Sequence, residues 1–369
     1  PLGTTTDSLS NPVLRKVDPG LGSLTINGCL TSKQGKDHDV TQHMTNSEPL
    51  TPSTEMTSMS SNATVDRLLR DGAALLRAAG VDLPEAVAGS LLASLQDAAC
   101  ATAPTSDNLD AAAISSTMAD EFYRLVDRCA RHEPLGYIVG HAWFRGLKLS
   151  VGPEVYAPKP ETHALLDFAT ADLADYMSRN RSEQEQLLGA DLCTGSGVVA
   201  LTLATEVGNT EMIAVELDER AAAWAQKNGD AHASKLHDVG SNVRLEVCDV
   251  ATVAQTALSL RRGAFDFVAS NPPYVGARGP TDESIRKFAP AVAIDGGDDG
   301  LDVIRAVVSA ACELLRPGGR LYIEHEDGQG FDAIDSGVPG LLEATGSFTA
   351  VVDIRDQRGR PRVAVATFG

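Results

Sequence analysis

Short apolar runs alternate with helically spaced apolar residues through the second half of the chain. The runs predict strands at 188–193, 211–217, 243–248, 264–270, 319–325, 349–354 and 362–367. The segments between them predict helices near 197–207, 218–233, 251–262 and 300–316. This alternation predicts an α/β fold with a mostly parallel sheet and helices on both of its faces. The last two strands lack a convincing helical pattern between them, so we expect an antiparallel hairpin at one end of the sheet.

Upstream of the sheet, residues 62–133 have apolar positions at a helical period, and Gly80 follows the first such segment as a plausible stop. Two more amphipathic segments follow, and Ser115 or Ser116 can cap the second of them. Residues 134–186 change to short alternating runs broken by Gly and Pro, which predict a connector with a short hairpin and a first helix. We therefore expect a small helical domain, a connector and an α/β domain over residues 187–369.

The first 61 residues are rich in Ser, Thr, Asn, Gly and Pro and have no sustained apolar period, so we expect a disordered extension. Thirty-one Lys and Arg against 50 Asp and Glu give a formal charge of -19, which argues against a nucleic-acid partner. The six cysteines form no CxxC pair, and the sequence has no apolar run of about 20 residues. We expect a cytoplasmic monomer without a membrane partner.

The segment "GADLCTGSGVVALTLA", residues 189–204, has the order strand, glycine turn, helix. Gly195 and Gly197 allow a ligand to approach the backbone closely at the end of the strand. Glu216 ends the next strand, where its carboxylate can accept both hydroxyls of a ribose. The turn lacks a third glycine and a GKS/T ending, which favours a nucleoside-like ligand without phosphates. Asp249 can accept from an adenine amino group or cap the following helix, and both roles can coexist.

Asn271, Pro272, Pro273 and Tyr274 follow the fourth predicted strand and emerge at the same sheet edge as the glycine turn. Neither proline has an N–H group, so the loop is rigid and offers carbonyl acceptors. The Asn271 side-chain oxygen and the Pro272 carbonyl can accept the two hydrogens of a planar NH2 group, while Tyr274 forms an apolar wall. Orientation is the main catalytic resource in methyl transfer from a sulfonium. The motif therefore predicts an N-methyltransferase that uses S-adenosyl-L-methionine.

Over residues 65–369 the chain resembles the glutamine methyltransferase family that modifies peptide chain release factors. The segments that carry the resemblance are "PLGYIVGHAWFRGLKLSVGPEVYAPKPET", "DLCTGSGVVALTLA", "VASNPPYV", "AIDGGDDGLDVIR" and "LRPGGRLYIEHEDGQG". The resemblance implies a class I, Rossmann-like methyltransferase with a seven-stranded sheet, a terminal antiparallel hairpin and a small N-terminal helical domain that helps to hold the substrate. The cofactor contacts it implies are Asp191, Thr194, Gly195, Ser196, Gly197, Glu216, Leu217, Asp249, Val250 and Asn271.

The resemblance further implies that residues 271–274 clamp the side-chain amide of the glutamine in a release factor's Gly-Gly-Gln loop. The chain departs from the family pattern at three places, the first in the cofactor loop and the other two in segments that bear on the substrate. Cys193 stands where the family has glycine, "KPETH" at 159–163 replaces its usual RPETE, and the helical segment "EAVAGSLLASL" is unlike its counterpart. Lys159, Glu161 and His163 are the candidate substrate contacts in the altered motif, although His163 can equally be an exposed residue at a helix start.

Two other classes of protein compete with a release factor methyltransferase. A small-molecule N-methyltransferase, acting on an amino acid amide or a guanidino group, would explain the departures. A non-catalytic scaffold is hard to reconcile with the intact Asn-Pro-Pro-Tyr motif. Glu324, His325, Glu326 and Asp327 have the residue types of a metal site, yet we expect a solvated loop and no metal there. The acidic run 295–302 is expected to be a loop that leads into the helix at 300–316.

Overall fold

The structure is a computed structural model that describes residues 65–102, 115–180, 185–277, 283–333 and 337–369. The expected disorder of residues 1–61 lies outside this part of the chain. The proposed domain boundaries near residues 61, 133 and 186 remain predictions. None of the helices in the described ranges is long and apolar enough to cross a membrane.

Three helices form the N-terminal region: α1 (Val65–Ala78), α2 (Pro84–Thr102) and α3 (Ser116–Ala130). Leu68, Leu76, Leu91 and Phe122 are fully buried or nearly so and form its core. Of the two candidate caps, the structure selects Ser115, whose hydroxyl accepts from the Met118 amide at 3.1 Å. The helical spacing of leucines along the sequence is thus explained by a small core that these three helices share.

The connector begins with the short helix α4 (Leu135–Val139) and continues with the antiparallel strands β1 (His141–Phe144) and β2 (Leu147–Ser150). Arg145 and Gly146 form the turn between the strands with positive φ angles of 46° and 74°, as a two-residue hairpin turn requires. A 3-10 turn (Pro160–Thr162) then leads into α5 (His163–Asn180). The predicted hairpin and first helix are both present.

The main sheet has seven strands in the order β5-β4-β3-β6-β7-β9-β8. The strands are β3 (Leu187–Leu192), β4 (Thr210–Glu216), β5 (Asn242–Val247), β6 (Phe265–Ser270), β7 (Leu315–Glu324), β8 (Phe348–Arg355) and β9 (Pro361–Phe368). Strands β3 to β7 pair in parallel, whereas β9 pairs antiparallel with both β7 and β8. The mostly parallel sheet with a terminal antiparallel hairpin is confirmed.

In the described part of the chain six further helices, after α5, accompany the sheet: α6 (Val198–Val207), α7 (Glu219–Ala231), α8 (Ala233–Asp238), α9 (Glu283–Phe288), α10 (Asp302–Leu314) and α11 (Gly337–Ala344). Side chains of the central strands alternate between two cores, as the pleat of a strand requires. Phe267 and Ala269 pack on one face with residues of α5 and α6, while Val268 packs on the other with residues of α10 and α11. Every residue of β6 is buried, so the loop after Ser270 starts from a rigid base.

The structure corrects two helix predictions and adds two helices, α9 and α11, that were not predicted. Residues 251–262 form two 3-10 turns, Val250–Gln255 and Ala257–Arg261, because the Asp249 and Thr256 side chains each accept from a backbone amide two residues on and start a new turn. The predicted helix at 218–233 is divided at His232 between α7 and α8. Helix α11 was not predicted, since "GVPGLLEA" is a poor helix former; burial of Val338 and Leu342 stabilises it instead.

Gly189 in β3 lies where the sheet core has no room for a side chain. A Cβ there would lie 2.2 Å from a ring carbon of Phe267 and 2.6 Å from the sulfur of Met212, and both side chains are fully buried. We expect Gly189→Ala to lower the free energy of unfolding by about 1–3 kcal/mol. Gly229→Ala is the matched control, because nothing lies within 4 Å of its Cβ position in α7 and alanine favours a helix. Chemical denaturation showing equal stability of the two variants would contradict this account.

Candidate active site

A cavity of about 1070 Å³ opens where the loops after β3, β4 and β6 meet. It is large enough for a nucleoside-sized ligand together with part of a second molecule. The cavity is lined by most of the predicted site residues, namely Lys159, Glu161, Thr194, Gly195, Ser196, Glu216, Leu217, Asp249, Val250, Asn271, Pro272, Pro273 and Tyr274. Three predicted residues, Asp191, Gly197 and His163, do not line it.

The glycine turn after β3 depends on left-handed backbone conformations. Cys193, Gly195 and Gly197 have φ angles of 65°, 55° and 83°. Glycine adopts this conformation without strain, whereas a side chain at the first position costs about 1–2 kcal/mol. The cysteine that departs from the family pattern therefore keeps the turn but strains it. Gly197 serves the turn and the close packing of α6, since its Cβ would lie 3.3 Å from Leu201.

Glu216 is held by three backbone amides. Its Oε1 accepts from the Leu217 and Asp218 amides at 2.9 and 3.0 Å, and its Oε2 accepts from the Gly195 amide at 2.8 Å. A carboxylate can accept about four hydrogen bonds, so capacity remains for a ligand hydroxyl. The same side chain therefore ties the glycine turn to the end of β4 and offers an acceptor to the cavity.

Asp191, near the end of β3, holds the glycine turn through hydrogen bonds with Thr194 and Ala200. Its Oδ2 accepts from the Thr194 hydroxyl at 2.5 Å and from the Ala200 amide at 2.9 Å. Its Oδ1 is buried and has no hydrogen-bond partner in the described part of the chain. Burial raises the pKa of Asp191 to about 7, although the hydrogen bonds from Thr194 and Ala200 oppose the shift. The structure thus places Asp191 behind the cavity, where it orders the turn.

The raised pKa of Asp191 predicts how stability changes with pH. The folded state keeps a proton that the unfolded state has already lost, so the free energy of unfolding falls as pH rises from about 4 toward about 7. In Asp191→Asn the amide nitrogen takes the unpartnered position and no charge is buried. We expect the loss of stability between pH 5 and pH 8 to be smaller by about 1–3 kcal/mol in this variant. Asp238→Asn, which changes an exposed carboxylate, should lose as much free energy of unfolding as the wild type between pH 5 and pH 8 in the same denaturant titrations. An equal loss in the wild type, Asp191→Asn and Asp238→Asn would contradict the assignment of the pH dependence to Asp191.

Asp249 has one role that the structure shows directly. Its side chain accepts from the Ala251 amide at 2.8 Å and caps the 3-10 turn that follows β5. It also lines the cavity together with Val250 and Leu217, and the Leu217 side chain is exposed there. The capping role is confirmed, while the contact with an adenine amino group remains a prediction.

The loop after β6 is fixed at both ends. The Ser270 hydroxyl donates to the Leu192 carbonyl at 2.6 Å, and the Tyr274 carbonyl accepts from Gln329 Nε2 at 3.1 Å. Between them the Asn271 Nδ2 donates to the Thr162 hydroxyl at 3.1 Å. This bond uses one of the two N–H groups of the Asn271 amide, while no described residue donates to the side-chain oxygen, which can therefore accept from a ligand.

Glu324 is a buried carboxyl behind this loop. It is 1% exposed, and its Oε1 accepts from the Tyr274 hydroxyl at 3.4 Å. Burial raises the pKa of Glu324 to about 7, against hydrogen bonding by Thr162 and the charge of Arg362. The expectation of a solvated loop at 324–327 is wrong for its first half, because Glu324 and His325 are both buried. No group of three metal-ligating side chains occurs among the residues described.

The rim of the cavity carries the altered "KPETH" segment. Lys159 and Glu161 lie on the cavity wall, and Arg360 faces Glu161 at 3.7 Å, Asp327 at 3.9 Å and Asp356 at 2.7 Å. His163 instead stacks on Phe144, with ring centroids 4.3 Å apart. The structure thus brings Lys159 and Glu161 to the cavity and places His163 against the β1–β2 hairpin.

The acidic run 295–302 is a loop, as predicted, and it borders the motif after β6. The Val275 amide donates to the Ile294 carbonyl at 2.9 Å, and the Gly296 amide donates to the Val275 carbonyl at 2.9 Å. Asp302 then begins α10, where its charge favours the helix dipole.

Three residues at the site were not predicted from the sequence: Thr162 and Arg360 line the cavity, and Glu324 lies behind the loop after β6. The signal for Glu324 was its place at the end of the strand predicted at 319–325, now β7, since other site residues also follow the carboxyl ends of parallel strands.

Two protein-family models match the chain. The Methyltransferase small domain matches residues 161–352, and the PrmC N-terminal domain matches residues 67–140. A release factor glutamine methyltransferase from Bifidobacterium longum is 33% identical over 301 residues, which cover 81% of this chain and 98% of the relative. One from Streptomyces coelicolor is 37% identical and covers 66% of this chain and 79% of its own length.

A relative with a different name is almost as similar. A 4-amino-L-phenylalanine/4-methylamino-L-phenylalanine methyltransferase from Streptomyces pristinaespiralis is 32% identical over 288 residues, which cover 78% of this chain and 89% of the relative. The similarity to the Bifidobacterium longum enzyme extends over nearly the whole length of that enzyme and over both of the domains that the family models match. The chain is a methyltransferase and belongs to the release factor glutamine methyltransferase family.

Proposed function

We propose that this protein transfers a methyl group from S-adenosyl-L-methionine to the side-chain amide nitrogen of the glutamine in the Gly-Gly-Gln loop of a peptide chain release factor. The observation that carries the proposal is the fixed amide of Asn271, whose nitrogen is engaged by Thr162. Asn271 and Pro272 both line the cavity together with the glycine turn, where the Asn271 oxygen and the Pro272 carbonyl can serve as acceptors. Two acceptors in a rigid loop suit the two N–H groups of a carboxamide.

The residues around the glycine turn fit S-adenosyl-L-methionine. The Glu216 carboxylate has spare capacity for ribose hydroxyls, and Asp249, Val250 and Leu217 form a wall suited to a purine. Thr194, Gly195 and Ser196 line the path between this wall and the Asn271 loop. When bound, the cofactor supplies a methyl group on a sulfonium that needs no further activation.

The protein's contribution to the reaction is orientation. Asn271 Oδ1 and the Pro272 carbonyl hold the glutamine nitrogen by its two hydrogens, and Tyr274 covers the plane of the amide. As the glutamine nitrogen bonds to the methyl carbon, whose bond to the sulfonium sulfur breaks, it gains positive charge that the two acceptors stabilise. One of its two hydrogens is then lost as a proton to water. The formal charge of -19 also fits a protein substrate better than a nucleic acid.

A free amino acid is the second candidate substrate. The observation that favours it is the similarity to a relative named for 4-amino-L-phenylalanine, together with the altered "KPETH" segment at the cavity rim. We place this candidate second because the N-terminal helical region, which matches the PrmC N-terminal domain, is retained.

One experiment separates the two candidates. The protein is incubated with methyl-labelled S-adenosyl-L-methionine and either a purified release factor or a panel of free amino acids that includes 4-amino-L-phenylalanine. We expect label on the release factor, in the peptide that contains the Gly-Gly-Gln sequence, and none on a release factor whose glutamine is replaced by alanine. Label on a small molecule alone would overturn the release factor as substrate.

A further inference from the structure

Arg362 is a buried arginine in the wall of the cavity. It is the second residue of β9, is 5% exposed and lines the cavity together with Glu161 and Tyr274. Its backbone carbonyl accepts from the His325 amide at 2.9 Å, and its Nη1 donates to the His325 carbonyl at 3.0 Å. These two bonds hold the guanidinium against the residue that follows β7. The cation is therefore fixed in the wall before a ligand arrives.

The guanidinium of Arg362 has donors to spare. An arginine side chain carries five N–H groups. In the described part of the chain only the bond to the His325 carbonyl is made, and Nε is buried without a partner. No described carboxylate lies within 4.0 Å of this side chain, whereas Arg360, also on the cavity wall, faces three carboxylates at 2.7–3.9 Å. A buried cation without an ion pair costs free energy, so packing alone does not explain it.

Glu324 responds to the charge of Arg362 but does not neutralise it. Burial raises the pKa of Glu324 to about 7, even though Arg362 favours the ionised form. Near neutral pH this carboxyl is therefore ionised only in part, and its Oε1 accepts from the Tyr274 hydroxyl at 3.4 Å. The unpaired guanidinium suits an oxygen atom that a ligand brings into the cavity.

The substrate needs a donor in this cavity, because the loop after β6 supplies acceptors. Neither Pro272 nor Pro273 has an N–H group, and one N–H of the Asn271 amide is used by Thr162. A carboxamide or a peptide that enters the cavity also brings carbonyl oxygens, and burying these without a donor lowers affinity. Arg362 lines the same cavity and has unused N–H groups that carry a positive charge.

We propose that Arg362 is a substrate-binding residue whose guanidinium donates to a carbonyl or carboxylate oxygen of the substrate. This role rests on the proposed function, and it adds a donor to the acceptors of the Asn271 loop. A protein substrate offers the carbonyl oxygens of the segment that contains its glutamine, and a free amino acid offers its carboxylate. A guanidinium recognises both groups by the same hydrogen bonds. Because this contact is made equally before and during methyl transfer, its loss should raise KM more than it lowers kcat.

The kinetic test compares Arg362→Met and Arg362→Lys with the wild type, with a release factor as the varied substrate at saturating S-adenosyl-L-methionine. We expect Arg362→Met to raise KM by about 10–100-fold, because a hydrogen bond from a charged group is lost, and to lower kcat by less than about fivefold. Arg362→Lys keeps the charge without the planar fork, so its KM should lie between those of the wild type and Arg362→Met. A KM in Arg362→Met within about threefold of the wild type would overturn the proposal.

Thermal stability separates this role from a structural one. Arg316→Met is the matched control, because Arg316 Nε lies 2.7 Å from Oδ1 of the fully buried Asp266 and Arg316 does not line the cavity. This variant leaves a buried carboxylate without its partner, so it should lower the melting temperature by at least about 5 °C and keep the wild-type KM. Arg362→Met removes an unpaired charge, so its melting temperature should fall by less than about 2 °C. A fall as large as that of Arg316→Met, together with an unchanged KM, would show a structural role instead.

A second arm makes failure of this role distinguishable from failure of the proposed substrate. If the wild type labels a free amino acid and no release factor, the proposed substrate is wrong, and Arg362→Met should then raise KM for that amino acid. Replacing the carboxylate of the amino acid by a primary amide should in that case raise KM less in Arg362→Met than in the wild type. If the wild type labels the release factor and KM is unchanged in Arg362→Met, only the role of Arg362 fails.

Discussion

Asn271→Ala should lower kcat for methyl transfer by at least about 100-fold while the dissociation constant for S-adenosyl-L-methionine stays within about threefold. The change removes the side-chain oxygen that accepts from the substrate nitrogen, and it leaves the rigid Pro272 and Pro273 in place. Among the described hydrogen bonds, the Asn271 side chain donates to Thr162, whereas Glu216 binds the amides of the glycine turn and of the end of β4. The variant should therefore no longer orient the substrate nitrogen, yet it should still bind S-adenosyl-L-methionine.

Single-turnover kinetics with labelled cofactor measure the first effect, and calorimetric titration measures the second. Asn242→Ala is the matched control, because Asn242 is an exposed residue at the start of β5, at the opposite end of the strand from the site. The control should keep the wild-type rate. Turnover by Asn271→Ala within about threefold of the wild type would remove Asn271 from the proposed clamp.

Glu216→Ala should raise the dissociation constant for S-adenosyl-L-methionine by at least about 30-fold. Two losses combine in this variant. The ribose loses a charged acceptor, which is worth about 1.5–3 kcal/mol, and the Gly195 amide loses the bond of 2.8 Å that holds the glycine turn against β4. At saturating cofactor kcat should fall much less, because the Asn271 loop is untouched.

Titration calorimetry on the free protein measures this effect directly. Glu219→Ala provides the control, since Glu219 is an exposed carboxylate in the first turn of α7 and lies three residues from Glu216. It changes the net charge by the same amount and should alter the dissociation constant by less than about threefold. Equal weakening by both variants would mean that charge near the cavity matters rather than the position of Glu216.

Local chemistry explains why much of the fold was predictable. The strands were found because parallel strands buried on both faces are nearly continuous apolar runs, as in β6, where all six residues are buried. Helix predictions failed where tertiary contacts or side-chain caps outweighed the local pattern. The side chains of Asp249 and Thr256 each cap a new 3-10 turn within 249–261, which replaces the predicted helix. Helix α11 forms from a poor helical sequence because Val338 and Leu342 are buried.

The residues of the candidate site likewise fall into those that the sequence predicts and those whose place depends on tertiary contacts. Residues that act through their own backbone, such as Gly195, Gly197 and the two prolines, were identified from the sequence because their conformational constraints belong to the residue itself. His163 was proposed from its place in a motif, and the structure instead stacks it on Phe144. A motif position gives the residue type but not the direction of the side chain.

The sequence by itself determined the succession of strands along the chain, the glycine turn at 193–197 and the donor-free loop at 271–274, because these depend on apolar periodicity and on backbone limits of single residues. Only the tertiary structure decided that Asn271 meets Thr162 and that Tyr274 meets Glu324, since these residues come from segments far apart in the chain. The raised pKa of Glu324 likewise arises from burial, which no residue can produce alone. Chemistry that needs desolvation and a fixed partner is therefore a property of the packed molecule.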